Sequence, residues 1–268
     1  MNRHEDLFIN RQLAQADLEV YAEQGYLVLG RVLTDQGLAQ MREQCMAAWQ
    51  KEKGSFDPDK NWLQNALLGD IHHPSEIVRE YYFDGPLVDI AEQLIGPNIK
   101  GATSQLTFKM RGNTNRFGWH QDNGYGELDP YNTLSTLTAL DDADDENGCL
   151  WIIPGSHKQE QIDVGHTSEH KAAEKEIVVE VDETSAIPVP MKAGESIVFH
   201  CWTLHKSEGN RSKDRDRRIL FLRYADADAV EVYNKGGPRL GRLLRGTTRY
   251  PEVETFEKEL TRPLTQPP

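Results

Sequence analysis

From Gly101 to Tyr224 the chain breaks into short runs of β-branched, aromatic and other apolar residues, each closed by a polar turn. The runs are ATSQLTFKM (102–110), LSTLTAL (134–140), CLWII (149–153), EIVVEV (176–181), ESIVFH (195–200) and RILFLRY (218–224). Such composition and spacing favour strands over helices. Strands this short bury their apolar faces by pairing into two facing sheets, so the expected core is a jelly roll or cupin-like double sheet. The first hundred residues differ. Thr34 is placed to cap a helix through MREQCMAAWQ, Ser75 to cap EIVREYYF, and PLVDIAEQLIG stops at Gly96-Pro97. One early strand, YLVLGRV (26–32), accompanies them, and a last helix begins at Pro251, since proline suits a first turn. No internal repeat or low-complexity linker divides the chain. The expectation is a mainly β fold with flanking helices in one domain over 1–268: helical to about residue 100, a β core over about 101–225, and a C-terminal extension over 226–268.

Bulk properties narrow the function classes. A chain of 268 residues can bury a sizeable core. A net charge of −13 opposes general nucleic-acid binding, which calls for a basic surface. The start, MNRHEDLFIN, lacks an apolar targeting core, and no stretch approaches the roughly 18 apolar residues of a membrane span. Cys45, Cys149 and Cys201 are widely spaced without a CxxC, and read as free thiols in a reducing compartment. The expectation is a cytoplasmic protein with neither membrane nor nucleic-acid partners.

Chemistry concentrates at GWHQDNG, residues 118–124. Alternate side chains of an extended strand point to one face, so His120 and Asp122 project together while Gln121 points away. An imidazole and a carboxylate converging on one spot are part of a metal site. Of the nine histidines, His4 is near the terminus, His72 and His73 lie in a loop, His166 and His170 in a polar insert, and His157 in the turn PGSHK. His200 and His205, in FHCWTLHKSEGNRS, remain as candidates for a second imidazole. Two imidazoles and one carboxylate occupy one face of an octahedral Fe(II) and leave three adjacent positions open. A bidentate 2-oxo acid fills two and dioxygen the third. The far carboxylate of that acid calls for a planar cation, which Arg217-Arg218 can supply. Neighbouring strand residues face opposite ways, so only one of the pair points inward.

The combination of HQD (120–122), NGCLWIIPGSHK (147–158) and HKSEGNRS (205–212), followed by RR and an apolar strand, resembles the phytanoyl-CoA dioxygenase family of Fe(II)/2-oxoglutarate oxygenases. The likeness spans roughly residues 20–225, with the three segments in order. It implies a double-stranded β-helix, with Fe(II), 2-oxoglutarate and O2 as cofactor and co-substrates. It implies hydroxylation of an aliphatic carbon of a small-molecule metabolite, with release of succinate and CO2. The motif carries over onto His120, Asp122 and His205 as iron ligands, Arg217 as the 2-oxoglutarate anchor, and Ser207 beside it. The loop from His205 to the arginine is one residue longer than usual, which leaves Arg218 as the alternative. Related halogenases have a small residue where Asp122 stands, so halogenation is disfavoured; desaturation, cyclisation and epimerisation use the same triad.

Other features have two readings each. Gln105, Thr107 and Lys109 alternate along one strand, either as a solvated face or, as the family suggests, lining the co-substrate pocket. His200 reads as a packing residue beside the site, and Trp119 and Trp151 as core or pocket wall. The acidic run DDADDENG (141–148) lacks the glycine and distal glutamate of a calcium loop and reads as a turn. A substrate pocket would draw on residues 55–80, 123–133, 158–186 and the C-terminal segment. Within that segment, VYNKGGPRLGRLLRGTTRY (232–250) holds Lys235, Arg239, Arg242, Arg245 and Arg249 and no acidic residue. It is either a surface strap, or a cover over the barrel mouth that would favour an anionic substrate; a homodimer contact is also open. Two other function classes fit the same residues, a zinc hydrolase and a non-catalytic binding module.

Overall fold

The computed structural model describes residues 3–54, 65–163 and 179–260. Its helices are α1 (Arg3–Leu7), α2 (Gln15–Gln24), α3 (Asp35–Lys53), α4 (Glu76–Asp84), α5 (Pro86–Ile95) and α6 (Pro251–Thr255). The strands begin with β1 (Tyr26–Arg31), β2 (Leu67–Gly69), β3 (Ile99–Lys109), β4 (Phe117–His120) and β5 (Leu128–Asp129). They continue with β6 (Leu134–Ala139), β7 (Leu150–Ile152), β8 (Ile187–Val189), β9 (Glu195–His200) and β10 (His205–Ser207). The last are β11 (Arg217–Asp226), β12 (Val230–Glu231), β13 (Gly237–Pro238) and β14 (Leu243–Arg245). Among the described residues no helix is long and apolar enough to cross a membrane.

The caps read from sequence close the helices. Thr34 accepts a hydrogen bond from the Gly37 amide and donates to the Asp6 carbonyl, tying the start of α3 to the chain before it. Ser75 accepts from the Val78 amide at the start of α4. Along α3, Leu38, Met41, Cys45, Ala48 and Trp49 are buried. That spacing places them on one stripe of the helix.

The strands form a large antiparallel sheet in the order β1-β9-β6-β11-β3-β14, with β2 also on β3, and a smaller antiparallel sheet, β4-β10-β7-β8. A third, β13-β12-β5, lies beside them. The large sheet is buried on both faces, for different reasons. Leu106, Phe108, Leu220, Leu222 and Tyr224 point outward and share one core with the stripes of α3, α4 and α5. Leu137, Ile197, Phe199 and Ile219 point the other way, against Leu150 and Ile152 of the small sheet. The fold is the expected jelly roll, mainly β with helices on one flank. Each fully buried aliphatic or aromatic side chain contributes about 1.5–3 kcal/mol.

The run EIVVEV behaves differently from expectation. Residues 176–178 lie outside the described residues, and 179–181 are not a strand. The Val179 amide donates to the Trp119 carbonyl, and Val179 and Val181 pack on the outer face of the small sheet with Trp119, Ile153 and Leu204. Their alternation reflects burial without a ladder; the strand that pairs with β7 is β8, further along. The substrate-pocket expectation falls partly outside the described residues too, over 55–64, 164–178 and 261–268.

Candidate metal centre

β10 is the hinge of the site. It pairs with β4 so that His205 lies opposite His120, and with β7 so that His205 lies opposite Ile152. The two imidazole rings are 4.2 Å apart between centroids. β4 ends at His120; Gln121 stays extended and Asp122 opens a short 3-10 turn through Tyr125. Gln121 points away as alternation requires, donating to the Glu160 and Trp202 carbonyls and accepting from the Ile162 amide. The Asp122 Oδ1 atom stands 3.5 Å from His205 Nε2 and 3.9 Å from His120 Nε2. All three ligand atoms lie within 4.8 Å of one another, and all three residues are buried.

The surroundings set the chemical state of each donor. His120 Nδ1 is bonded to the Gly118 carbonyl at 2.7 Å and His205 Nδ1 to the Thr203 carbonyl at 2.9 Å. A carbonyl can only accept, so each Nδ1 carries the proton and each Nε2 offers a lone pair toward Asp122. Burial pushes the His120 imidazole down to about 4, helped by His205 and opposed by Asp122. Burial alone would raise the Asp122 carboxyl, but the facing His205 and His120 rings, once either carries a second proton, and the Arg223 guanidinium outweigh it and hold the carboxyl below its ordinary value. Two neutral imidazoles and an ionised carboxylate form a donor set that fits a divalent iron with one side open.

Two supporting residues were not read from sequence. Ser135, on β6, donates to Asp122 Oδ2, leaving Oδ1 to face the histidines. Arg223, on β11 opposite Ser135, donates to Asn123 Oδ1 and to the Gly126 carbonyl, gripping the turn that carries Asp122. The available signal was the spacing: Arg223 lies six residues from Arg217, so an uninterrupted strand puts both on one face. For Ser135 nothing distinguishes it in LSTLTAL from its neighbours.

Arg217 is 3 % exposed, and among the described residues its Nε has no hydrogen-bond partner. Burial pushes it down to about 10. A buried guanidinium without an acceptor is costly, and a carboxylate ligand would relieve it. Arg218, its neighbour, faces the other way and is held by both oxygens of Asp141 at 2.7 and 2.6 Å. Opposite Arg217 on β3 stands Lys109, whose ammonium donates to Ser207 Oγ at 2.9 Å and to the Ser207 and Glu208 carbonyls. Ser207 Oγ thus accepts from Lys109 and keeps its own proton to donate. Thr107 and Gln105 lie opposite Ile219 and Phe221, on the wall that faces the small sheet, so this polar strand face is not a solvated one.

The remaining candidates sort by geometry. His200 Nδ1 accepts from the Trp202 amide and its ring faces His157, away from the triad. Trp119 and Trp151 flank Lys206 on the outer face of the small sheet. The acidic run is a turn whose Asp141, Asp142 and Asp144 pair with Arg218, Lys192 and Arg215. The segment 232–250 does not cross the barrel mouth beyond β13: it runs along the edge of β3, with Leu243 opposite Lys100. Arg239 is spent on Glu231 and the Ala102 carbonyl, Arg242 on the Glu257 carbonyl, Arg245 on Asp84 and Asp89, and Arg249 on Asp228. These contacts describe a strap. Nearer the triad, Tyr125 sits edge-on to His120 with ring centroids 5.3 Å apart.

The family model described as phytanoyl-CoA dioxygenase matches residues 21–219. A methylphosphonate hydroxylase of Gimesia maris is 26% identical over 234 residues, covering 84% of this chain and 86% of its own. Among solved structures, EctD from S. alaskensis with 2-oxoglutarate and 5-hydroxyectoine superposes with a TM-score of 0.69 at 22% identity, covering 91% of this chain and 92% of its own. The 2-oxoglutarate-dependent carbocyclase SnoK from nogalamycin biosynthesis does so with a TM-score of 0.67 at 23% identity, covering 88% and 95%.

Proposed function

Because this chain belongs to the phytanoyl-CoA dioxygenase family of Fe(II)- and 2-oxoglutarate-dependent oxygenases, we propose that it hydroxylates an aliphatic carbon of a small-molecule metabolite, with His120, Asp122 and His205 as its iron ligands. Iron(II) with 2-oxoglutarate and dioxygen supplies a two-electron oxidation of a C–H bond, the co-substrate leaving as succinate and CO2. The chain's own part is to hold charge in place. Ser135 fixes which carboxylate oxygen of Asp122 faces the ion, and the Gly118 and Thr203 carbonyls fix which imidazole nitrogens do. Arg217 and the Ser207 hydroxyl receive the far carboxylate of 2-oxoglutarate, while Lys109 keeps Ser207 in register. Thr107 and Gln105 line the same wall.

One observation carries this reading: the buried guanidinium of Arg217, without a partner at its Nε, on the wall that also presents Ser135 and Arg223 toward the triad. A hydrolytic metal site gives no reason for it. Removing one partner of a desolvated charge pair costs about 2–5 kcal/mol. Arg217→Ala is therefore expected to weaken 2-oxoglutarate binding by roughly 30-fold or more, at about 1.4 kcal/mol per decade. The measurement is an anaerobic titration of the iron(II)-loaded protein, following the weak visible charge-transfer band. Arg218→Ala should leave that affinity unchanged. Equal behaviour of the two variants, or no band at all, would sink the proposal.

A further inference from the structure

A second group of metal-ligating side chains lies outside the barrel. His72 and His73, in the turn after β2, meet Glu257, just beyond α6. Their three ligand atoms also lie within 4.8 Å of one another. His73 Nε2 is 2.7 Å from Glu257 Oε1, and His72 Nε2 is 3.2 Å from Oε2. A tetrahedral zinc with bonds of about 2.0–2.2 Å holds its ligand atoms about 3.3–3.5 Å apart. An ion therefore fits once the exposed His73 ring swings out by several tenths of an ångström.

The cluster is built rather than incidental. His72 is buried, its Nδ1 is bonded to Ser104 Oγ at 2.6 Å, and its ring lies against those of Tyr82 and Phe83. Those contacts point Nε2 at Glu257, as the outer partner of a metal-bound imidazole does. Glu257 holds φ at +52°, a left-handed conformation that glutamate rarely adopts, and Arg242, stacked over Phe83, bonds its carbonyl. Residues so held cluster where a ligand is clamped. A cavity of about 430 Å3, lined also by Asp70, Tyr82 and Arg239, adjoins the three side chains and leaves an open side for a fourth ligand.

We propose that His72, His73 and Glu257 form a second divalent-cation site, of zinc(II) class, that staples the C-terminal segment to the turn after β2. Two imidazoles and a single carboxylate suit zinc and oppose calcium or magnesium, which prefer all-oxygen shells. The site is separate from the iron centre: Ser104 points to the helix-covered face of the large sheet, whereas its neighbour Gln105 faces the barrel.

The test counts ions. The full chain, stripped of metal, is equilibrated with zinc alone and desalted, and bound zinc per chain is measured by mass spectrometry. His73→Ala removes an exposed ligand, and Glu257→Gln keeps the shape and hydrogen-bonding capacity of the side chain while removing its charge. Each variant is expected to bind one ion fewer than the parent, with unchanged circular dichroism. Because the readout is a difference, ions held at the iron centre cancel, and the outcome is independent of the function proposed above. Equal zinc content in parent and variants would overturn the second site.

Discussion

Asp122 shows how little freedom a buried ligand keeps. One oxygen is held by Ser135 and the other faces two imidazoles whose own protons are committed to backbone carbonyls. Loss of an outer partner of this kind typically weakens metal binding by about 10–100-fold. Ser135→Ala should therefore weaken iron(II) binding within that range, as measured by anaerobic competition with a chromophoric chelator, while the fold survives. An unchanged affinity would mean that the Asp122 orientation is set elsewhere, with the Arg223 grip on Asn123 and Gly126 as the next candidate. Arg217 and Arg218 make the complementary point. They are chemically identical neighbours, yet strand alternation gives one an ion pair with Asp141 and leaves the other in the barrel wall.

At the level of elements, the helices are anchored by caps whose chemistry is local and whose consequences are not. Thr34 caps α3 and also bonds the Asp6 carbonyl, so it joins that helix to the segment of α1. Replacing such a cap by alanine costs about 1 kcal/mol, within a range of about 0.5–2. Thr34→Ala should lower the denaturation midpoint accordingly and leave 2-oxoglutarate affinity untouched, since α3 packs on the far side of the large sheet from the triad. A change in co-substrate affinity would show that the helix layer is coupled to the barrel interior. The strands follow a different rule. β11 was expected from its apolar run, but its value to the site comes from its residues Arg217, Ile219, Phe221 and Arg223 sharing one face opposite β3.

Across the whole molecule, burying imidazoles ties stability to pH. Burial holds both His120 and His200 down at about 4, against about 6.5 in an unfolded chain. Between those values the unfolded chain binds protons that the folded one does not. Stability of the metal-free protein should thus fall as pH drops from about 6.5 toward about 4. Asp122 acts in a separate window: its lowered value contributes stability that is present above the ordinary carboxylate range and is lost only at more acid pH. Urea midpoints of the metal-free protein between pH 4.5 and 7.5 read the histidine effect directly, and a flat profile over that interval would contradict it. The basic segment 232–250 is likewise a matter of the whole molecule. Its arginines answer acceptors on α4, α5, β12 and the C-terminal turn, drawing the segment along the sheet edge.

By itself the sequence determined what depends on near neighbours. Short β runs, the caps at Thr34 and Ser75 and the His120/Asp122 pair follow from propensity, hydrogen bonding within a turn and strand alternation, all of which act within a few residues. The short strands pointed to a jelly roll, and motif order extended the reading to a family. Tertiary structure decided whatever needs two distant segments to meet. Bringing β10 beside β4 set His205 opposite His120 and left His200 facing His157; pairing β6 with β11 gave Ser135 and Arg223 their place beside Asp122; and the acceptors around residues 239–249 turned a basic stretch into a strap. The same holds for the pair His72 and His73 and for Glu257, which a reading along the chain leaves far apart. The physical reason is that a side chain's partner is set by register and packing across sheets, and those are fixed only when the barrel closes.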